Sequence, residues 1–288
     1  MPKRKRRKTH KASYTYESFD EMLDIASDKS LPDWKSVHGG HCESVRNKKR
    51  MSWCRKTSLD EAIDLAKFGW KEGADMMSRE LELARKSTQF ERLPDYEYDV
   101  AGYIPNVPLY VSGSPTHMMS PIGSETSSKP TIEIMVNLSA SCEINAERMA
   151  YKGAGILSLV DKLEDSGLSC HVTCTEYVNK GSSFMYWEFP IKKAGIPMDI
   201  DRCAFAIIHP ALLRRIMFRM MELDNDAYDI FHIGYGRPAD VPHHMRTGKI
   251  YFPMTNNFNP YSVEEAVNTA VEMYEHQTNG KDWDGFSV

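Results

Sequence analysis

The chain has 288 residues and a formal net charge of −4, and 41% of its residues are hydrophobic, enough for a sizeable core in one large domain or two smaller ones. No apolar run approaches the roughly 20 residues of a membrane span, and the basic N-terminus lacks the apolar stretch of a secretory signal. The six cysteines are scattered, which is typical of a reducing compartment. We therefore expect a cytosolic protein with no membrane partner.

The charge is unevenly distributed along the chain. Seven positive charges lie within the first eleven residues, so the remaining residues carry a net charge of −11 against −4 for the whole chain. We predict a disordered basic arm at residues 1–13. It could be a solubility tail, a nucleic-acid-binding arm or a peptide signal such as a nuclear-import sequence. The first nucleic-acid contacts would be its cations Lys3, Arg4, Lys5, Arg6, Arg7 and Lys8.

Residues 14–93 are predicted to form a mainly helical region. Ser18 with Glu21, and Ser58 with Glu61, fit the capping box that begins a helix. The residues after the two serines are alike, and two similar helix starts explain this more simply than a duplicated unit. The helical pattern of the second helix continues to about Phe90.

Two clusters lie between these helix starts. Lys48, Lys49 and Arg50 stand beside Trp53, so they could contact phosphates while the ring stacks on a base, or they could form a solvated turn. The run HGGHC at residues 38–42 suggests zinc, but its spacing fits no established zinc pattern and favours a glycine-rich turn.

Residues 94–130 are rich in proline, glycine and serine, and we predict a connector there. Its stretch 103–111 could form an edge strand or an extended cover, because its prolines exclude a central strand. We place the start of an α/β domain at residue 131 and extend that domain to residue 288.

The stretch 131–167 reads as a strand, a polar loop and a long amphipathic helix that ends at Gly167. The strand is apolar on both faces, which is typical of a buried parallel sheet covered by helices. The loop Asn137–Ser141 follows the carboxyl end of the strand, where ligands bind in open α/β sheets.

The remaining pattern predicts a hairpin at 168–178 and 183–191, followed by further strands and helices. After Pro210 a helix is expected, with Arg214, Arg215 and Arg219 facing outward. The other predicted elements are strands at Cys203–His209, Tyr228–Ile233 and Lys249–Phe252 and a helix at Ser262–His276. The fold class is therefore α/β, a mostly parallel sheet with an antiparallel edge hairpin flanked by helices.

In this order of elements, residues 131–277 resemble a von Willebrand A-like (Rossmann-like) domain. The metal site of that family begins D-x-S-x-S at this loop, and the matching positions here are Asn137, Ser139 and Ser141. The resemblance implies Mg²⁺ as the only candidate cofactor. Asparagine in place of aspartate removes charge that favours a hard cation. Alternatively, the loop residues serve structure, or the helix N-terminus binds an anion or an acidic partner.

Three stretches are similar to a family of uncharacterised tailed-bacteriophage proteins. They are SLDEAIDLAKFGWKEG at 58–73, VPLYVSGSPTHMM at 107–119, and VNLSAS with YKGAGILSLVDKLEDSG at 136–167. The resemblance implies a phage origin and a location in the bacterial host cytoplasm or the virion, and it brings no activity. It favours a nucleic-acid role of the basic arm over nuclear import.

No residue set points clearly to catalysis. Cys170 and Cys174 would lie about 13 Å apart on one strand face, too far for one ion. A hydrolytic site built from His209, His232, the pair His243 and His244, and Asp240 lacks the motifs that would support it. We therefore predict no catalytic residue.

The sequence thus predicts a non-enzymatic phage interaction protein. Its arm would contact DNA or RNA during replication, transcription or genome handling, and its α/β domain would bind a protein partner. One alternative is a protein-binding or virion-structural component without nucleic-acid contact. Another is a divalent-metal-dependent activity at the loop 137–141.

Overall fold

The computed structural model describes residues 9–31, 54–75, 78, 96–102, 104–105, 107–121, 131–141, 144–165, 167–224, 239–255 and 263–278. Its strands are β1 (Lys11–Thr15), β2 (Tyr96–Asp99), β3 (Ile104–Pro105), β4 (Met118–Pro121), β5 (Thr131–Asn137), β6 (Ser169–Lys180), β7 (Ser183–Lys192) and β8 (Ile250–Phe252). Its α-helices are α1 (Phe19–Ser27), α2 (Leu59–Phe68), α3 (Val107–Val111), α4 (Ala146–Asp165), α5 (Ile200–Ile208), α6 (Phe218–Leu223), α7 (His243–Arg246) and α8 (Val263–Thr278).

The main sheet has five strands in the order β1-β7-β6-β5-β8. β5 is parallel to β6 and to β8, β1 is parallel to β7, and only the hairpin β6–β7 is antiparallel. The predicted α/β class, with a mostly parallel sheet and flanking helices, is therefore confirmed. The hairpin is not at the edge, because β1 pairs with the outer side of β7. A second, antiparallel sheet has the order β2-β4-β3.

Both faces of β5 are buried, as its apolar pattern predicts. Ile134 and Val136 belong to the large core cluster that includes residues of α4 and α5, while Met135 packs with Tyr177 and Tyr251 in a smaller cluster. Helix α4 ends as predicted, because Gly167 takes the left-handed conformation at φ 84°.

The N-terminal residues pack in the same core as the α/β elements. Phe19 of α1 stacks on Phe189 of β7 with ring centroids 5.3 Å apart. Ser58 and Glu61 form the complete capping box at α2. Ser18 also caps its helix, but the Glu21 carboxylate accepts from the backbone of Glu17.

Three sequence expectations differ from the described structure. Residues 11–13, assigned to the basic arm, begin strand β1. Residues 107–111 form helix α3 after the short strand β3. The expected strand at 203–209 is helix α5, because an unbroken run of buried residues hides the helical period. The expected strand at 228–233 lies outside the described residues.

Three arginines expected to face outward are buried. They lie on a π-helical segment, Leu212–Met217, and on helix α6, which follows it. Both segments pack between the N-terminal helices and the α/β core. Because the π-turn shifts the register of a helix, the spacing of residues does not predict which of them face the core. The guanidinium groups donate to carbonyl oxygens in three loops, Arg214 to Ile144 (2.8 Å), Arg215 to Thr57 (2.9 Å) and Arg219 to Asp28 (2.9 Å).

Within the described residues, no helix is both long enough and apolar enough to cross a membrane.

Candidate functional site

The carboxyl ends of β5, β6 and β8 lie at one edge of the main sheet, because the three strands are parallel. Ligands of open α/β sheets bind outside this edge. The loop after β5 runs beside the residues that follow β8, since Thr255 donates its N–H to the Ser139 carbonyl at 2.8 Å and Ser141 donates to the Thr255 carbonyl at 3.2 Å. This edge is the candidate site.

The polar side chains of the loop bond to the protein itself. Asn137 donates its amide N–H groups to the Ala239 carbonyl and to the Tyr251 hydroxyl oxygen, both at 3.0 Å. Its Oδ1 accepts from the backbone of Ser139 at 2.9 Å, and Ser139 Oγ donates to the Tyr177 carbonyl at 3.3 Å. Asn137 and Ser139 are fully buried, so these contacts fasten β5 to its neighbours.

Lys152 of α4 reaches into the same edge. Its Nζ donates to the carbonyl oxygens of Asn137 (2.9 Å) and Pro253, and to Thr255 Oγ1 at 3.4 Å. Burial lowers the pKa of Lys152 to about 8, against the opposing effect of Asp240 and other acidic groups nearby. One ammonium group thus joins the end of β5 to the residues after β8.

Glu176 of β6 is the second ionisable group of the site. It is 3% exposed, and its Oε2 has no hydrogen-bond partner in the part of the chain that the structure describes. Burial raises the pKa of Glu176 to about 8, while the nearby Ser139 side chain and the charge of Lys152 act in the opposite direction. Burial therefore favours the neutral, protonated form of the carboxyl group.

Lys152 and Glu176 both have pKa values shifted to about 8. Shifts of this kind occur in catalytic sites and also in structural charge networks. Here the three hydrogen bonds of Lys152 use all three protons of its ammonium group. The contacts therefore support a structural role for Lys152 at this edge.

Neither Lys152 nor Glu176 is among the predicted site residues. Lys152 could have been found, because it lies three residues after Met149 and four before Ile156, on the buried stripe of α4. Glu176 could also have been found, because it shares its strand face with Cys170, Val172 and Cys174, all of which are buried.

The metal assigned to Asn137, Ser139 and Ser141 stays a prediction. Among the described residues, no group of three or more His, Cys, Asp or Glu side chains could hold a metal ion. The Lys152 ammonium group bonds the Asn137 carbonyl, and its charge would repel a second cation there. Melting temperatures with and without millimolar Mg²⁺ test the prediction, because a bound ion stabilises the folded state.

Among the described residues, the other sequence candidates do not form a group of three or more His, Cys, Asp or Glu side chains that could hold a metal ion. His209 follows α5, where its Nδ1 accepts from the Ala211 backbone, and burial lowers its pKa to about 3. His243 and His244 are exposed on α7, while Asp240 accepts from the Tyr251 hydroxyl at 2.9 Å. His232 lies outside the described residues.

The proposed nucleic-acid contacts also lie outside the described residues, namely Lys3, Arg4, Lys5, Arg6, Arg7, Lys8, Lys48, Lys49 and Arg50. The attachment of the arm is described. His10 donates its N–H to Ser183 Oγ at 3.1 Å and accepts from the backbone of Phe184 at 3.0 Å. His10 Nε2 lies 3.0 Å from the Asp224 carboxylate. The residues that follow the six cations are therefore fixed to the start of β7.

Neither the curated proteins nor the solved structures give a significant match to this chain. A family model described as a domain of unknown function (DUF7192) matches residues 4–279. Because this match covers nearly the whole sequence, the chain belongs to the DUF7192 family.

Proposed function

We propose that this protein is a non-enzymatic interaction protein that binds nucleic acid through its basic N-terminal arm. The observation that supports this most directly is the attachment of the arm. Six cations lie in residues 1–8, and the next residues are hydrogen-bonded to the β6–β7 hairpin. The remainder of the chain is acidic, so the arm is the place where phosphate groups would be attracted.

The dimensions of the arm suit this role. An extended stretch of eight residues spans at most about 29 Å, which is longer than the width of a DNA duplex. Six cations that each neutralise a phosphate would give a plot of log affinity against log salt with a slope of about −5 on duplex DNA. The arm has no aromatic residue among its cations to stack on a base, so we expect it mainly to contact phosphates, with little sequence preference.

The phage origin and the von Willebrand A-like relationship belong to this proposal. The three stretches at 58–73, 107–119 and 136–167 support a phage origin, with a role in replication, transcription or genome handling in the host cytoplasm or the virion. The succession β5, α4, β6 and β7 supports the von Willebrand A-like relationship, whereas helix α5 departs from the expected strand.

A second candidate is a role in protein binding. Tyr98, Val100, Val107, Tyr110 and Val111 are large apolar residues, and each exposes roughly half or more of its surface. They lie at 98–111, in the connector rather than in the α/β domain, where the sequence analysis places the protein partner. Apolar groups exposed in this way occur on surfaces that a partner protein covers.

Binding of fluorescein-labelled single- and double-stranded oligonucleotides, followed by fluorescence anisotropy over a salt series, tests the proposal. The full chain is compared with a chain that begins at Thr9, which keeps His10 and β1 intact. A chain with the cations of residues 3–8 in a different order keeps the charge and serves as the control. The proposal predicts salt-dependent binding by the full chain and the control, with loss in the shortened chain. Equal binding by all three chains would contradict it.

A further inference from the structure

A tight turn at residues 54–57 precedes helix α2 and has an unusual backbone. Arg55 (φ 53°) and Lys56 (φ 61°) are the only residues other than glycine with positive φ in the described part of the chain. In this left-handed conformation the Cβ atom crowds the following carbonyl oxygen, so residues with long side chains rarely adopt it. Two such residues in succession must be held by their surroundings.

The ends of the turn and the Arg55 side chain hold this conformation. Thr57 donates its N–H to the Cys54 carbonyl at 3.1 Å, and the carbonyl of Thr57 accepts from Nε of the buried Arg215 at 2.9 Å. Cys54 and Thr57 are themselves buried. The Arg55 guanidinium group lies over the Trp70 ring, 5.2 Å from its centroid.

The side chains of Arg55 and Lys56 are both exposed, so neither belongs to the core. Within the described residues, no carboxylate forms an ion pair with either side chain. Two other lysines of the N-terminal region are paired, Lys29 with Asp60 and Lys67 with Asp24. The turn therefore presents two adjacent cations that pair with no carboxylate among the described residues, on a chain that is acidic outside its arm.

We propose that Arg55 and Lys56 form a second contact for the phosphate backbone of nucleic acid. A guanidinium group binds phosphate with two parallel hydrogen bonds, and an ammonium group adds a compact charge beside it. Strained backbone conformations cluster at functional sites, where the surrounding structure maintains them. This inference rests on the proposed nucleic-acid function, but it does not require that the arm make the contacts.

Three variants of the full chain separate charge from strain. Arg55→Gly/Lys56→Gly removes both, because glycine adopts positive φ without a Cβ clash. Arg55→Gln/Lys56→Gln removes the charge and keeps side chains at these positions. Lys29→Gln/Lys67→Gln removes two positive charges that are paired with carboxylates in the same N-terminal region, and it is the control.

The glycine variant is expected to melt at a higher temperature, because the strain is removed. It should nevertheless bind oligonucleotides at least about tenfold more weakly at low salt, and the slope of log affinity against log salt should be smaller in magnitude by about 2. The glutamine variant should lose the same affinity without the rise in melting temperature, and the control should bind as the full chain does. If the full chain binds and the glutamine variant keeps its affinity and slope, this inference is wrong while the proposed function stands. If the full chain does not bind, both are wrong.

Discussion

At the scale of single residues, the most unusual feature is the pair of buried ionisable groups beneath the loop after β5. Both Lys152 and Glu176 have pKa values displaced to about 8 by burial, the one downward and the other upward. A displaced pKa makes stability depend on pH, because the folded and unfolded chains then bind different numbers of protons. The two groups act in different pH ranges.

We predict that Glu176→Gln changes the pH dependence of stability. The pKa of Glu176 is raised from 4.5 to about 8 in the folded chain, so between these values the folded chain keeps a proton that the unfolded chain loses. The contribution of Glu176 to stability therefore falls as pH rises, by about 1.4 kcal/mol per pH unit. In the variant, residue 176 does not titrate, so its contribution to stability stays constant. The variant therefore gains stability relative to the parent as pH rises from 5 to 8. The difference in stability between the variant and the parent is measured from urea unfolding midpoints at four pH values.

Glu147→Gln, the same substitution at an exposed carboxylate on α4, is the matched control. Parallel stability curves for the parent and Glu176→Gln between pH 5 and 8 would show that the buried carboxyl group is not protonated in the folded chain.

A second residue-scale prediction concerns Lys152→Met, which keeps the length of the side chain and removes its donors. The carbonyl oxygens of Asn137 and Pro253 then lose their bonds to Nζ, and each buried acceptor left unsatisfied costs about 1–3 kcal/mol. We expect a loss of about 2–4 kcal/mol in the free energy of unfolding. Hydrogen exchange at the Thr255 amide should also quicken, because that amide bonds to the Ser139 carbonyl beside the lysine.

Lys162→Met on the same helix is the control, since it makes the same substitution away from the carbonyl oxygens that Lys152 bonds. If Lys152→Met were no less stable than Lys162→Met, the ammonium group would not hold the sheet edge together.

At the scale of elements, the contact between α4 and α5 depends on one glycine. A Cβ atom at Gly153 would lie 2.4 Å from Cγ1 of Ile208 and 3.1 Å from Cγ2 of Ile207. We predict that Gly153→Ala destabilises the protein by about 1–2 kcal/mol, because the cost of overpacking exceeds the gain in helix propensity. Thermal or urea unfolding measures the change.

The same substitution in an Ile208→Ala background tests the cause. Removal of the isoleucine side chain makes room for the new methyl group, so Gly153→Ala should then stabilise by up to about 1 kcal/mol through helix propensity alone. An unchanged penalty in both backgrounds would show that the α4–α5 contact is not responsible.

Elements with a local signal could be predicted from the sequence, and those set by tertiary packing could not. The capping box at Ser58, the left-handed Gly167 and the β6–β7 hairpin each depend on residues close in sequence. Helix α5 lacks such a signal, because both a buried strand and a buried helix read as a continuous apolar run. The buried arginines depend on a π-turn and on loops far away in sequence.

The same distinction applies to the candidate site. Asn137, Ser139 and Ser141 could be placed at the end of a strand by pattern alone, and the structure has them there. Their contacts with Ala239, Tyr251 and Thr255 could not be predicted, because they join segments about 100 residues apart in the chain. A role for Lys152 therefore became clear only from its hydrogen bonds.

At the scale of the whole molecule, residues of the N-terminal region and of the predicted α/β domain share one sheet and one core. Strand β1 pairs with β7, and α1 and α2 pack in the same core as α4 and α5, so residues before and after the predicted connector share one hydrophobic cluster. The described N-terminal residues thus have a fixed place on the sheet. The cations of residues 1–8 begin from that place, on a chain that is otherwise acidic.

The central claim is that the arm binds nucleic acid. The most direct test compares the affinity of a duplex oligonucleotide for the full chain with its affinity for the chain that begins at Thr9, both measured at low salt. We predict that the full chain binds with an affinity that falls steeply with added salt, and that the shortened chain, although folded, binds at least about a hundredfold more weakly. Equal affinity for the two chains, or no binding by the full chain, would contradict the account.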